Sequence, residues 1–305
     1  MTDDIGPIET IDEEKLAAIF DDQDYVADHA IRTTVLVALR LGKPLLVEGE
    51  PGSGKTELGK VLADGLGTDL IRLQCYEGLT AEHALYEWNY GKQLLSVQAG
   101  EGGVDADRSV FDEEYLLERP LLQALRSRGD RPPVLLIDEI DRADEEFEAL
   151  LLEVLSDFQV SIPELGTIAA DRPPIVIVTS NRTRGLSDAL KRRCLFLHVD
   201  PPSMEKEREI VRRKVPELDD RLATDLCAAV GRLREEPLLK QPGVAETLDW
   251  GRAVATLRDG NGSLDEQDIE TTLGCLLKEV EDVRRVDGEL IDELLAAGRP
   301  YRGDG

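Results

Sequence analysis

Long apolar runs are missing from this sequence. No stretch approaches the roughly 20 residues a membrane helix needs, and the opening Thr2-Asp3-Asp4 has none of the basic-then-apolar character of a secretion signal. A cytoplasmic protein is expected. Cysteine is scarce: Cys75, Cys194, Cys227 and Cys275 lie far apart and form no C-x-x-C pair. That excludes a disulfide framework and reads as small, buried thiols in a reducing compartment. The three histidines, His29, His83 and His198, share no metal-ligand spacing and are expected to be core or surface residues. Positive charge is outnumbered, with 36 Lys and Arg against 63 Asp and Glu, a net charge of −27 and a pI near 4.5. A protein whose main task is gripping a nucleic-acid backbone needs clustered cations, so that class is disfavoured, although a local basic channel stays open. With aromatics at only 4 %, the composition suits a halophilic protein, kept soluble by acidic charge despite the self-repulsion this brings.

What is present starts with residues 44–57, Pro-Leu-Leu-Val-Glu-Gly-Glu-Pro-Gly-Ser-Gly-Lys-Thr-Glu. The stretch fits G-x-x-x-x-G-K-[ST] at Gly49, Gly54, Lys55 and Thr56, with Glu50, Pro51, Gly52 and Ser53 between them. Glycines let consecutive backbone N–H groups curl around a phosphate chain, and the following helix N-terminus adds partial positive charge. Lys55 is expected to reach the β- and γ-phosphates, and Thr56 to place its hydroxyl on Mg²⁺. The apolar Leu45-Leu46-Val47 before the loop and the amphipathic Leu58, Val61 and Leu62 after it supply the strand and helix such a loop requires.

A second anchor is Pro132 to Asp141, Pro-Pro-Val-Leu-Leu-Ile-Asp-Glu-Ile-Asp. Four apolar residues ending in two carboxylates predict a fully buried parallel strand whose carboxyl end faces the phosphates. Asp138 is expected to hold Mg²⁺ through water, and Glu139 to orient and polarise an attacking water. Ile175 to Ser180 reads as another buried strand with Asn181 at its tip. Its amide either contacts the γ-phosphate and the water or caps a turn.

The remaining organisation follows from periodicity. A chain of 305 residues accommodates two domains, divided here into an acidic lead-in (1–24), an α/β nucleotide-binding domain (25–200), an α-helical lid (201–298) and a tail (299–305). A helix is expected over Tyr25–Leu41, where Tyr25 and Val26 either line an adenine pocket or pack on the sheet. Asp69–Cys75 reads as a strand and Thr80 as the cap of a helix. The pattern breaks between Tyr86 and Arg119, taken as an insertion holding an exposed turn at Gly100–Gly103 and a helical run from Phe111 to Leu117. Helices are expected at Pro120–Arg128, Glu145–Asp157 and Ser187–Arg192, a hairpin over 158–169, and a last strand at Cys194–Val199 just after Arg193. Pro201-Pro202 marks a linker. Beyond it, helices are expected at Met204–Lys214, Asp219–Arg234, Leu248–Asp259, Asp265–Glu281 and Gly288–Ala297.

This order of motifs resembles an AAA+ ATPase. The interruption at 86–119 with the hairpin at 158–169 looks like the helix-2 insert and pre-sensor-1 hairpin of the MoxR group. Leu73-Gln74-Cys75-Tyr76-Glu77-Gly78-Leu79, Leu85-Tyr86-Glu87-Trp88-Asn89-Tyr90 and Asp188-Ala189-Leu190-Lys191-Arg192-Arg193-Cys194 resemble its CoxD-like branch. The resemblance implies an α/β P-loop core with a parallel five-stranded sheet in the order 5-1-4-3-2, plus a helical lid. It implies Asn181 as sensor 1, Arg193 as the arginine finger with Arg192 competing for that place, and Arg252 in Asp249-Trp250-Gly251-Arg252-Ala253 as sensor 2. ATP and Mg²⁺, a homo-oligomeric, six-membered ring, a von Willebrand A domain partner and a client metalloenzyme of the molybdenum carbon monoxide dehydrogenase type are implied with it. The expected function is chaperone-like remodelling or metal-centre maturation driven by ATP hydrolysis. A nucleic-acid motor or restriction-type NTPase subunit, a non-hydrolysing assembly scaffold and a gas-vesicle accessory ATPase are the alternatives.

Overall fold

The structure is a computed structural model and describes residues 8–98, 111–163, 165–258 and 262–301. The Gly100–Gly103 turn expected in the insertion lies outside the described residues. The chain forms two compact units. The first comprises residues up to Gln23, Ala27–Gly49 and Lys55–His198; the second comprises Asp24–Val26, Glu50–Gly54 and the chain from Val199 onward.

The first unit is built on five strands: β1 (Leu45–Gly49), β2 (Leu70–Gln74), β3 (Val134–Asp138), β4 (Ile175–Ser180) and β5 (Leu195–Val199). They lie in the order β2-β3-β4-β1-β5, which is the expected 5-1-4-3-2 sheet read from the other edge. The pairs β1–β4, β2–β3 and β3–β4 are parallel. Burial follows position. Every residue of β1 and β3 is buried, as continuous apolar runs covered on both faces require. The edge strand β2 keeps Leu70, Arg72 and Gln74 exposed.

The helix Lys55–Leu66 packs close to the sheet at Gly59, where a Cβ would sit 3.1 Å from Leu136 Cδ1. Helix Glu145–Asp157 starts as expected, capped by Asp144 accepting from the Phe147 backbone N–H. The antiparallel hairpin Gln159–Ile162 with Gly166–Ala169 also forms as expected.

Several local expectations are corrected. The helix expected from Tyr25 starts at His29, because Asp28 turns extended and its carboxylate accepts from the Ile31 N–H. The helical run expected at Phe111–Leu117 is a short 3₁₀ turn, Glu113–Tyr115, followed by a strand, Leu116–Glu118. That strand pairs antiparallel with Tyr86–Trp88. A partner some 30 residues away in sequence overrides the local pattern. The helix expected to begin at Ser187 spans Asp188–Arg193, so Arg193 is its last residue and Cys194 its C-cap.

The second unit is helical: Met204–Lys214, Asp220–Leu233, Val244–Leu257, Glu266–Leu276, Val280–Val283 and Gly288–Ala297. Its core surrounds the fully buried Trp250, whose indole N–H donates to Thr272 Oγ1 at 2.6 Å. Two lid expectations are corrected here. The helix expected from Leu248 starts at Val244, where Glu246 reaches back to accept the Gly243 N–H at 3.0 Å. The single helix expected over Asp265–Glu281 breaks after Leu276, with Leu277 extended. No described helix is long and apolar enough to cross a membrane. All four cysteines are free; Cys75 and Cys227 are buried and the other two partly so.

Candidate functional site

The site gathers at the carboxyl ends of β1, β3 and β4. Parallel register places Gln74 beside Asp138, and Glu48 beside Ser180, so that the residues following β1 and β4 emerge together. After β1 the loop turns through Gly52 at φ +79° and Gly54 at φ +88°, left-handed conformations that favour glycine. Lys55 then enters the helix with its side chain buried and its ammonium donating to the Gly49 carbonyl at 3.0 Å. A lysine is buried only where oxygens receive its charge.

Asp138 is the most heavily bonded carboxylate in the site and is only 2 % exposed. Its Oδ1 accepts from Thr56 Oγ1 at 2.9 Å and from Thr179 Oγ1 at 2.5 Å. Its Oδ2 accepts from Arg72, Nη2 at 2.5 Å and Nε at 3.2 Å. Thr56 and Asp138, expected to share a metal, therefore do meet, although 82 residues separate them.

Glu139 leaves the strand in the left-handed region at φ +56°, sparsely populated for a residue with a side chain. Its backbone N–H is held by Thr179 Oγ1 at 2.9 Å. The turn directs its carboxylate to the Asn181 amide (3.4 Å), to Gln74 Nε2 (3.0 Å) and to Arg142 Nη1 (3.3 Å). Asn181 itself is fixed by Asp141, whose Oδ1 accepts the Asn181 backbone N–H at 3.0 Å. Asp141 Oδ2 takes the Thr183 N–H at 2.9 Å and hydroxyl at 2.6 Å. Burial raises the Asp141 pKa, but the Thr183 and Asn181 donors outweigh it and hold the carboxyl below its ordinary value. Burial pushes the Cys75 thiol, beside this group, up to about 12, with the charges of Asp138, Asp141 and Glu139 adding to it.

The structure thus joins Thr56, Asp138, Glu139 and Asn181 in one hydrogen-bonded group. Arg193 is exposed on the end of its helix, Nε donating to Ser156 Oγ at 2.8 Å and Nη1 to the Ala189 carbonyl at 3.4 Å; Arg192 beside it is also exposed. Arg252 lies in the second unit, exposed and paired with Asp249 at 3.2 Å. Sequence reasoning missed Arg72, Gln74, Thr179 and Asp141. The signal for the first two lay in the expected sheet order, which sets strand 69–75 beside the strand ending in Asp138. Among the described residues there is no cluster of His, Cys, Asp and Glu arranged to hold a metal by itself. A cation here would instead use one hydroxyl and one carboxylate. That donor set suits the hard, largely hydrated Mg²⁺, and the 2.9 Å Thr56–Asp138 contact shows the two groups already converging.

A sheet in this order, with a glycine-rich loop and two acidic residues at its carboxyl edge, defines a P-loop α/β ATPase core. Residues 44–194 match the AAA domain of the dynein-related subfamily, and the sheet is that of a P-loop AAA+ core. YehL of Escherichia coli (strain K12), an uncharacterised protein, is 31 % identical over 176 residues, 55 % of this chain and 44 % of YehL. The denitrification regulatory protein NirQ of Stutzerimonas stutzeri is 23 % identical over 260 residues, 82 % of this chain and 83 % of NirQ. The chain therefore matches less than half the length of the first and most of the second. Among solved structures, a Thermotoga maritima RuvB mutant aligns at a TM-score of 0.45 with 18 % identity, covering 95 % of this chain and 72 % of that one.

Proposed function

We propose that the chain is a MoxR-type AAA+ ATPase, of the CoxD-like branch, that hydrolyses ATP to remodel a client enzyme or mature its metal centre. The observation that carries the catalytic part is the hydrogen-bonded group of Thr56, Asp138, Glu139 and Asn181 at one sheet edge. In this reading Gly49, Glu50, Pro51, Gly52, Ser53 and Gly54 wrap the phosphate chain with backbone N–H groups, and Lys55 neutralises its charge. Thr56 directly, and Asp138 through water, would hold Mg²⁺, which when bound supplies positive charge for the phosphate oxygens. Glu139 orients a water, and Asn181 fixes Glu139 and senses the terminal phosphate. Arg193 serves as the finger for a neighbouring subunit and Arg252 as the lid sensor.

AAA+ proteins usually assemble into rings, and a six-membered ring is the form proposed here. A von Willebrand A domain protein is the proposed adaptor. A molybdenum-containing carbon monoxide dehydrogenase-type enzyme is the proposed client. Likeness to a denitrification regulatory protein along most of both chains supports an ATPase that serves another enzyme system. A cytoplasmic, salt-adapted setting suits the net charge of −27.

The test is steady-state ATPase rate against protein concentration in high salt, with and without a von Willebrand A protein and with and without DNA. A rate per subunit that rises with concentration and responds to the protein but not to DNA is expected; stimulation by DNA alone would overturn the remodelling assignment. Glu139→Gln is expected to retain ATP affinity while turnover falls on the order of 10²-fold or more.

A further inference from the structure

Asp138 already holds a cation, and that cation belongs to the chain. The guanidinium of Arg72 reaches Oδ2 through two nitrogens, Nη2 at 2.5 Å and Nε at 3.2 Å, while the two threonine hydroxyls use Oδ1. A carboxylate this deeply buried needs a counter-charge. The two partners differ in exposure: the Asp138 side chain is 3 % exposed and that of Arg72 is 47 % exposed. Arg72 projects from edge strand β2, so its charged head can leave Asp138 and be hydrated without opening the core. It is also held in its present pose from the outer side, because the same Nη2 donates to Gln74 Oε1 at 2.6 Å.

A divalent cation approaching Asp138 brings charge to the carboxylate that Arg72 now neutralises. Two cations beside one buried carboxylate repel, so each weakens the hold of the other, and the half-exposed guanidinium is the one free to withdraw. We propose that Arg72 competes with the metal for Asp138: it neutralises the carboxylate in the metal-free protein and is displaced when the cation binds. This rests on the reading of Thr56 and Asp138 as the metal site. On that reading Arg72 is a positioning residue that sets the cation concentration at which the site fills and keeps the buried carboxylate compensated until then.

The experiment is a Mn²⁺ titration of the full chain with saturating ADP, free Mn²⁺ being followed by electron paramagnetic resonance, together with melting curves with and without Mn²⁺. Arg72→Gln is expected to bind Mn²⁺ on the order of ten-fold more tightly than the parent, since a charge-assisted competitor is gone. Its melting temperature should be lower than the parent's without cation, and the gap should close at saturating Mn²⁺. Equal or weaker Mn²⁺ affinity in a folded Arg72→Gln would overturn the proposal. If that variant does not fold, Arg72→Lys decides, because an ammonium cannot make both contacts. It should bind Mn²⁺ about three-fold more tightly, and parent-like affinity would overturn the proposal. Thr56→Ala in the same titration separates the two ideas. Weaker Mn²⁺ binding supports the metal site independently of Arg72, whereas unchanged binding removes that site and the competition with it.

Discussion

Asp141 holds Asn181 in place: its Oδ1 accepts the Asn181 backbone N–H at 3.0 Å, while its other oxygen takes both the N–H and the hydroxyl of Thr183. The residue that contacts Glu139 is thus positioned by a buried carboxylate two residues beyond Glu139, in the 3₁₀ turn that follows the neighbouring strand. Asp141→Ala leaves three donors without their acceptor and is expected to destabilise the protein by about 3 kcal/mol. Because the folded-state pKa of Asp141 lies below its ordinary value, its contribution is fully present above that value. It is lost as pH falls through the lowered one. Urea denaturation of parent and variant should therefore show a constant difference at neutral pH that shrinks below about pH 4. A difference that grows on acidification would contradict this.

The Cys75 thiol, at about 12, should be inert in the native protein. At pH 8 its thiolate fraction is roughly one in ten thousand, and the thiolate is the nucleophile. Cys194, raised to about 11 by burial, should behave similarly. Iodoacetamide treatment followed by peptide mass spectrometry is expected to leave Cys75 unmodified in buffer and to label it fully in urea. Fast native labelling would mean that the strand end beside Asp138 opens.

In the second unit the buried Glu207 forms a two-pronged pair with Arg234, Oε2 to Nη1 at 2.6 Å and Oε1 to Nη2 at 2.8 Å. It also accepts from Thr247 Oγ1 at 2.7 Å. Glu207→Ala strands the arginine and should cost about 3–5 kcal/mol, whereas replacing both members by methionine should cost less than either single change. A double-mutant cycle in urea, read from tryptophan fluorescence, measures the coupling.

Arg193 is exposed and lightly tethered, through Ser156 and the Ala189 carbonyl. If it acts on a neighbour's nucleotide, Arg193→Ala and Glu139→Gln are each expected to be inactive alone and to regain part of the parent rate when mixed. Recovery arises at interfaces that combine an intact Glu139 with an intact Arg193, and a finger contributes on the order of 10³ or more in rate. Mixed rings that show no recovery would place Arg193 outside the catalytic apparatus.

Much of this was legible in the sequence for a physical reason: its carriers are contiguous. The loop Gly49–Thr56 needs glycines, a lysine and a hydroxyl in one short run, and β3 needs four apolar residues before two carboxylates, so a linear string displays both. The sheet order followed from the resemblance that these motifs carry. The insert was less readable. Leu116–Glu118 has no strand signature of its own strong enough to compete with a local helical pattern, and it becomes a strand because Tyr86–Trp88 offers unpaired backbone groups. Likewise, Glu246 moves the start of its helix by reaching back to Gly243, a bond that apolar periodicity does not register.

The sequence by itself determined that the residue types of the proposed chemistry stand at the required positions, because phosphate binding and water activation demand particular residue types at short, constant spacing. Tertiary structure alone decided which side chains govern those residues. Arg72 reaches Asp138 across 66 residues, Asp141 grips Asn181 across 40, and Thr179 binds both the Asp138 carboxylate and the Glu139 backbone from the strand between them and β1. Such contacts depend on the register of parallel strands. That register is set by burying several apolar faces at once and leaves no mark at any one position of the chain.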